Sequence, residues 1–181
     1  MINFKDFAKT AYNNAQCKYD GKNYYTHIQM VENGIDIYRK VFKSDEDYSI
    51  ACASAIGHDL IEDANLTFND IQKVTNKRIA QTILALTDVP EENRLLRHLN
   101  TMDKTVKNYI AIIVKMCDIR ANAIYSKDNG SSMYKKYVEE YEYRRPIFKI
   151  ALKWYNKYLD NKTLELFWDE LDKIHNYKKQ V

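Results

Sequence analysis

The chain has 181 residues, 45% hydrophobic and 29% charged, which fits one globular domain with a sizeable core and excludes a disordered chain. Four Gly and two Pro argue for helices and against a turn-rich β fold. A net charge of +3 is too mild for a nucleic-acid binder and suits a small anionic ligand.

Residues 3–17 carry Phe4, Phe7, Ala8, Ala11, Tyr12 and Ala15 at helical spacing. Asp20-Gly21 is a turn pair that breaks this pattern. A second helix is predicted from about Thr26 to Val41, with Ile28, Val31, Ile35 and Tyr38 on one face. A third starts at Asp45 or Glu46 and reaches about His58, its small residues permitting close packing. "DANLT" reads as a loop, and Thr67 with Asp70 resembles a capping box that starts a helix at Phe68. Asn76 to Thr87 is helical by its Ile79, Ile83, Leu84 and Leu86, with a break around Pro90. Residues 91–103 are charged and give no clear pattern. Residues 105–124 hold "YIAIIVKMC", the most apolar run, and read as a central buried helix followed by a flexible loop, "SKDNGSS". Two aromatic-rich helices are expected at about 132–159 and 162–176, with "RRP" at 144–146 able to kink the first. The reading is all-α, with a single domain over 1–181.

Cys17, Cys52 and Cys117 are odd in number, scattered and without a CxxC pair, which suggests reduced thiols in a cytoplasm and not a zinc-thiolate site. No apolar run is long enough to span a membrane, and "MINFKDFAKT" has no signal-peptide core, so no membrane partner is expected.

The stretch "AIGHDLIED", residues 55–63, places a His, two Asp and a Glu directly after a run that reads as buried. His58 and Asp59 are adjacent, so both can face one metal only at a helix end or a wide groove. His27 stands at the start of the second helix and Asp118 at the polar end of the apolar one. Two imidazoles and two carboxylates make a mixed N/O site suited to Mn²⁺, Fe²⁺ or another first-row divalent ion. Such a metal lowers the pKa of its water and polarises a phosphoryl oxygen. Each piece has a bland reading: a His-Asp dipeptide is common by chance, His27 alone suits a surface helix start, and Asp118 could pair with Lys115 or Arg120. The combination favours the metal, because each polar group opens or closes an apolar helix.

"HDLIEDANLTFNDI" resembles the signature of the HD-domain hydrolases of the RelA/SpoT alarmone family. "VKMCDIRAN" is similar to the family's later motif and "YYTHIQMV" to its first histidine motif. Order and spacing agree over about residues 1–125, and the tail resembles the closing helices of the small stand-alone alarmone hydrolases. The resemblance implies an HD-domain helical bundle with a metal site in a central cleft. It implies Mn²⁺ held by His27, His58, Asp59 and Asp118, with Glu62 and Asp63 activating and orienting the attacking water. Glu62, four residues after His58, would share its face if the helix continued.

The resemblance also implies that Asn122 helps place the nucleotide sugar and phosphates, against a bland reading as a helix C-cap. Cations for phosphate are expected at Lys115, Arg120 and Arg97. Lys18 stands where the family usually has an Arg that stacks on guanine, and a Lys lacks that flat surface. Tyr24 or Tyr25 could line the same pocket, though among fifteen Tyr packing is the commoner role. Ile28 stands where the family commonly has Pro, and His98 and His175 match nothing and read as surface or packing residues.

The implied activity is a Mn²⁺-dependent release of the 3′-pyrophosphate from guanosine 3′,5′-bispyrophosphate (ppGpp) or a related alarmone, in the cytoplasm. Lys18 and a shortened loop before His27 leave room for an adenine alarmone, NADPH or a cyclic nucleotide. A non-catalytic HD protein that binds a nucleotide is the alternative of another class. The aromatic C-terminal helices could serve a homodimer interface.

Overall fold

Most helices in this chain begin where a short polar side chain takes up a free backbone N–H, those starting at Tyr25, Leu60 and Met133 being the exceptions. The computed structural model describes residues 3–178. Asn3 accepts from the Lys5 N–H at the start of α1 (Phe4–Asn14). Asp20 and Gly21, with φ of 50° and 74°, then make the two-residue turn of a small hairpin, β1 (Lys18–Tyr19) and β2 (Lys22–Asn23). Positive φ at both central positions is the turn type that matches strand twist, and Asp-Gly supplies it. The sequence pattern shows the turn but not the strands, which are too short to alternate.

After the hairpin come α2 (Tyr25–Ile37) and a 3₁₀ turn at Arg39–Val41. The second helix thus stops short of the expected Val41, because the chain must turn there. Asp160 donates its N–H to the Val41 carbonyl at 2.8 Å, and Phe42 bridges Leu159. Ser44 caps α3 (Asp45–Gly57), which is followed by the single turn α4 (Leu60–Asp63). Thr67 and Asp70 close the expected capping box on α5 (Phe68–Val74). Asn76 caps α6 (Lys77–Leu86), and Asn93 caps α7 (Arg94–Thr105), the segment without a clear sequence pattern.

Asn108 caps α8 (Tyr109–Asp128), which runs a turn further than expected. Ser126 is buried within it, and Gly130, at φ 62°, ends the approach to the next helix. Then follow α9 (Met133–Lys153), which continues through Pro146 but ends before the expected 159, and α10 (Asn161–Ile174). The chain leaves α9 early because Leu159 is fully buried against the 3₁₀ turn.

The architecture is all-α, with α8 at its centre. The run Ile110–Val114, Met116 and Cys117 is buried on every side, packed by α2, α3, α6, α9 and α10. A second apolar cluster gathers Ala8 and Tyr12 of α1, Ile28, Ile56, Leu60, Ile71 and Ile83. Each large side chain so buried contributes about 1.5–3 kcal/mol. The helix α2 serves both clusters, Ile28 in one and Val31 and Ile35 in the other. Its first turn therefore faces the gap between them, opposite the polar half of α8. Among the described residues no helix is long and apolar enough to cross a membrane, and the three cysteines are unpaired.

Candidate metal centre and phosphate pocket

The sequence builds this gap with one glycine. A Cβ on Gly57 would lie 2.8 Å from Ile83 Cδ1 and 2.9 Å from Phe4 Cζ. Both atoms are side-chain tips that a Cβ would have to push aside, so the glycine eases the close end of α3 against α1 and α6, and the chain then turns. His58 and Asp59 occupy the turn between α3 and α4, so neighbouring side chains can face one point. The helix does not continue past His58 as a helical reading of Glu62 required.

Four side chains from three places converge. His27 Nε2 is 3.3 Å from His58 Nε2 and 3.2 Å from Asp118 Oδ1. His58 Nε2 is 2.9 Å from Asp59 Oδ2 and 3.9 Å from Asp118 Oδ1. Ligand atoms of His27, His58 and Asp59 all lie within 4.8 Å of one another. Metal–nitrogen bonds are about 2.0–2.1 Å, so donors around one ion sit roughly 3 Å apart. His58 Nδ1 donates to the Ala55 carbonyl at 2.9 Å, which fixes the ring with Nε2 turned inward. The donors are two imidazole nitrogens and two carboxylate oxygens, and they fit a first-row divalent ion.

Both carboxylates are held ready. Burial opposes the charge on Asp118, yet the Lys115 ammonium, 2.9 Å from Oδ2, and the two imidazoles keep it well below the usual carboxylate range. Burial likewise opposes charge on Asp59 and on His58, and their mutual attraction outweighs it, lowering the Asp and raising the His. The Tyr24 hydroxyl donates to Asp59 Oδ2. Burial also works against Lys115, which the Asp118 carboxylate holds above its ordinary value.

Glu62 and Asp63 lie on α4, just beyond His58 and Asp59. Crowding and then the Asp59 charge push the Glu62 carboxyl up to about 7. Glu62 accepts the backbone N–H of Asp88 and lines a cleft of about 870 Å³ with Asp88, Glu91 and Arg97. Desolvation and Asp59 also raise Asp63.

Other expected contacts divide. Lys115 and Asn122 line a polar cavity of about 140 Å³ beside Asp118. Asn122 is no C-cap, since α8 continues to Asp128; its Nδ2 donates to Asp118 Oδ1 at 2.6 Å. Arg97 borders the Glu62 cleft, with its guanidinium donating to the Glu91 carbonyl. Lys18 is exposed on β1. Arg120, two residues on from Asp118, makes a two-pronged ion pair with Glu170 of α10, at 2.8 and 2.9 Å, and does not line the small cavity.

The sequence pattern missed Arg94, Arg144, His98, Tyr137 and Glu140, which complete the small cavity. These come from α7 and α9, and nothing in chain order ties them to Asp118. His98 is buried, not on the surface, and its Nδ1 meets the Tyr143 hydroxyl at 2.7 Å. His175 is fully buried in packing, stacked on Tyr141 with ring centroids 4.1 Å apart.

Helical bundle, His-Asp turn and facing Asp together define the HD class of fold. No family model matches the sequence, and neither does any curated protein. Among solved structures, the chain is similar to one described as "A metazoan ortholog of SpoT hydrolyzes ppGpp and plays a role in starvation responses". The TM-score is 0.68 at 18% identity, over 94% of this chain and 93% of that one. The chain thus shares the all-α fold of that structure, in agreement with the helical bundle that the motif resemblance implies.

Proposed function

We propose that this chain is a metal-dependent pyrophosphohydrolase acting on guanosine 3′,5′-bispyrophosphate or a closely related alarmone, as a single cytoplasmic domain. The observation that carries the reading is the convergence of His27, His58, Asp59 and Asp118 beside a cavity lined by Lys115, Arg94 and Arg144. The four converging groups would hold one Mn²⁺ or a similar ion. Such an ion supplies Lewis-acid charge and activates water at neutral pH.

The chain's own residues account for the rest. Glu62, with its carboxyl near neutrality, takes the proton of the attacking water, and a base of that strength suits the task. Asp63 orients the same water. Lys115, Arg94 and Arg144 meet phosphate oxygens in the small cavity, and Arg97 borders the neighbouring cleft. Asn122 stands between the ligand Asp118 and the cavity. The fold neighbour that hydrolyses ppGpp supports the substrate class.

A second reading, another phosphorylated nucleotide, is favoured by Lys18, which is exposed and offers no flat guanidinium where the motif would place one on guanine. The experiment is pyrophosphate release from guanosine 3′,5′-bispyrophosphate with Mn²⁺, beside Asp59→Ala. Release that needs both the metal and Asp59 is the expected result. Mn²⁺ binding without release overturns the alarmone assignment and moves it to another nucleotide.

A further inference from the structure

Tyr19 sits on the hairpin, far in sequence from the helix whose residues it touches. Its ring stacks on the His27 imidazole, with centroids 4.7 Å apart and planes 19° from parallel. Its hydroxyl donates to Asn122 Oδ1 at 3.0 Å. Asn122 Nδ2 in turn donates to Asp118 Oδ1 at 2.6 Å. An amide nitrogen only donates, so the Asn122 amide presents its N–H to Asp118 Oδ1. That leaves the amide oxygen for a donor, and Tyr19 is the donor.

His27 lacks the support that His58 has. A metal-ligating His ordinarily gives its second ring nitrogen to a carbonyl or carboxylate, which fixes the ring plane. His58 does so through Ala55. His27 Nδ1 is buried and has no hydrogen-bond partner among the described residues. Its plane is held instead by ring contacts: the Tyr19 face, and the edges of Tyr24 at 5.8 Å and His58 at 5.2 Å.

We infer that Tyr19 is a positioning residue for this site, its ring setting the plane of His27 and its hydroxyl, through Asn122, setting Asp118. The inference rests on the metal reading proposed above and goes beyond it. The hairpin is the lever. Its turn is fixed by Asp20-Gly21, and it is tied to α8 by the Tyr125 hydroxyl donating to Asp20 Oδ2 at 2.9 Å and by Lys22 lying 4.9 Å from the Tyr125 ring. Tyr19 meets the edge of the same Tyr125 ring at 4.8 Å. One side chain thus braces two proposed ligands from opposite walls of the cleft, His27 on α2 and Asp118 on α8.

The test is Mn²⁺ titration of the metal-free protein, reading free Mn²⁺ by its electron paramagnetic resonance signal. Tyr19→Phe keeps the stack and removes the donor, and should weaken Mn²⁺ binding about 10-fold, the low end for loss of a partner behind a metal ligand. Tyr19→Leu removes both and should weaken it further, toward about 100-fold. Because the hydroxyl acts through Asn122, Tyr19→Phe should add nothing in an Asn122→Ala background. The metal-free Tyr19→Phe protein should keep the wild-type urea midpoint, a readout that a purely structural Tyr19 would shift. Wild-type affinity in both Tyr19→Phe and Tyr19→Leu overturns the inference and leaves the metal reading standing. A wild-type protein that binds no Mn²⁺, or binds it equally after Asp59→Ala, overturns the metal reading and this inference together.

Discussion

A neutral histidine among cations makes the protein sensitive to acid. His98 of α7 faces Arg94 and Arg97 on its own helix, Lys115 on α8, and Glu140, Tyr143 and Arg144 on α9. Burial first, and then Arg144, Arg94, Lys115 and Arg97, depress its pKa from 6.5 to about 3. The unfolded chain takes up a proton near pH 6.5, and the folded chain does not until about pH 3. The stability tied to a neutral His98 is therefore complete above pH 6.5 and is lost as the pH falls from there toward 3. His98→Gln cannot be protonated, so its unfolding free energy in urea should fall less between pH 7 and pH 5 than that of the wild type. An identical fall in both proteins would refute this account of the pocket.

At the scale of elements, the site depends on how closely α2 and α8 approach. A Cβ on Gly34 of α2 would stand 3.0 Å from Cys117 Cβ and 3.1 Å from Cys117 Sγ. Cys117 is fully buried on a central helix, so it cannot move aside. Gly34→Val should cost about 1–3 kcal/mol through overpacking, beyond any gain in helix propensity. Urea unfolding measures it, and a variant as stable as the wild type would show that the helices have room. The same contact explains what the amino-acid order reveals and what it hides. The apolar stripe of α2, the small residues of α3 and the continuous apolar run of α8 make these helices plain in sequence, with His27 on the first turn of α2, His58 and Asp59 just past α3, and Asp118 midway along α8. By contrast, α7 buries His98, Thr101, Met102 and Thr105 while exposing Leu95, Leu96 and Leu99. Its three leucines point away from the core and its buried face is mostly polar, so the apolar residues do not mark that face. Arg94 and Arg144 are hidden for a related reason. A basic residue on a helix looks alike whether it faces water or a cavity, and only tertiary packing separates the two. Arg120 is the converse case, since its nearness to Asp118 in sequence made it an expected cation for phosphate, whereas its guanidinium pairs with Glu170.

For the whole molecule, the cleft is a point of stored repulsion. Asp59 and Asp118 raise one another's cost of ionisation, and Asp59 does the same to Glu62 and Asp63. The chain tolerates this with Lys115 and two histidines, and a divalent cation would offset it more fully. Such an ion would also join α2, the α3–α4 turn and α8, which belong to two apolar clusters. A ligand that binds only the folded form stabilises by about 2.7 kcal/mol at a hundred times its Kd. For a chain of this length, 1 kcal/mol moves Tm by about 2–4 °C. Mn²⁺ added to chelator-treated protein should therefore raise Tm by roughly 5–10 °C, a range that follows from those two magnitudes. Asp59→Ala removes one donor and part of the repulsion together. Its metal-free form should melt below the metal-free wild type, because His58 and the Tyr24 hydroxyl lose their partner, and its response to Mn²⁺ should be largely lost. A thermal melt with and without Mn²⁺ reads both effects. If Mn²⁺ shifted the two proteins equally, the ion would be binding elsewhere, and the convergence of His27, His58, Asp59 and Asp118 would be a packing feature of the cleft.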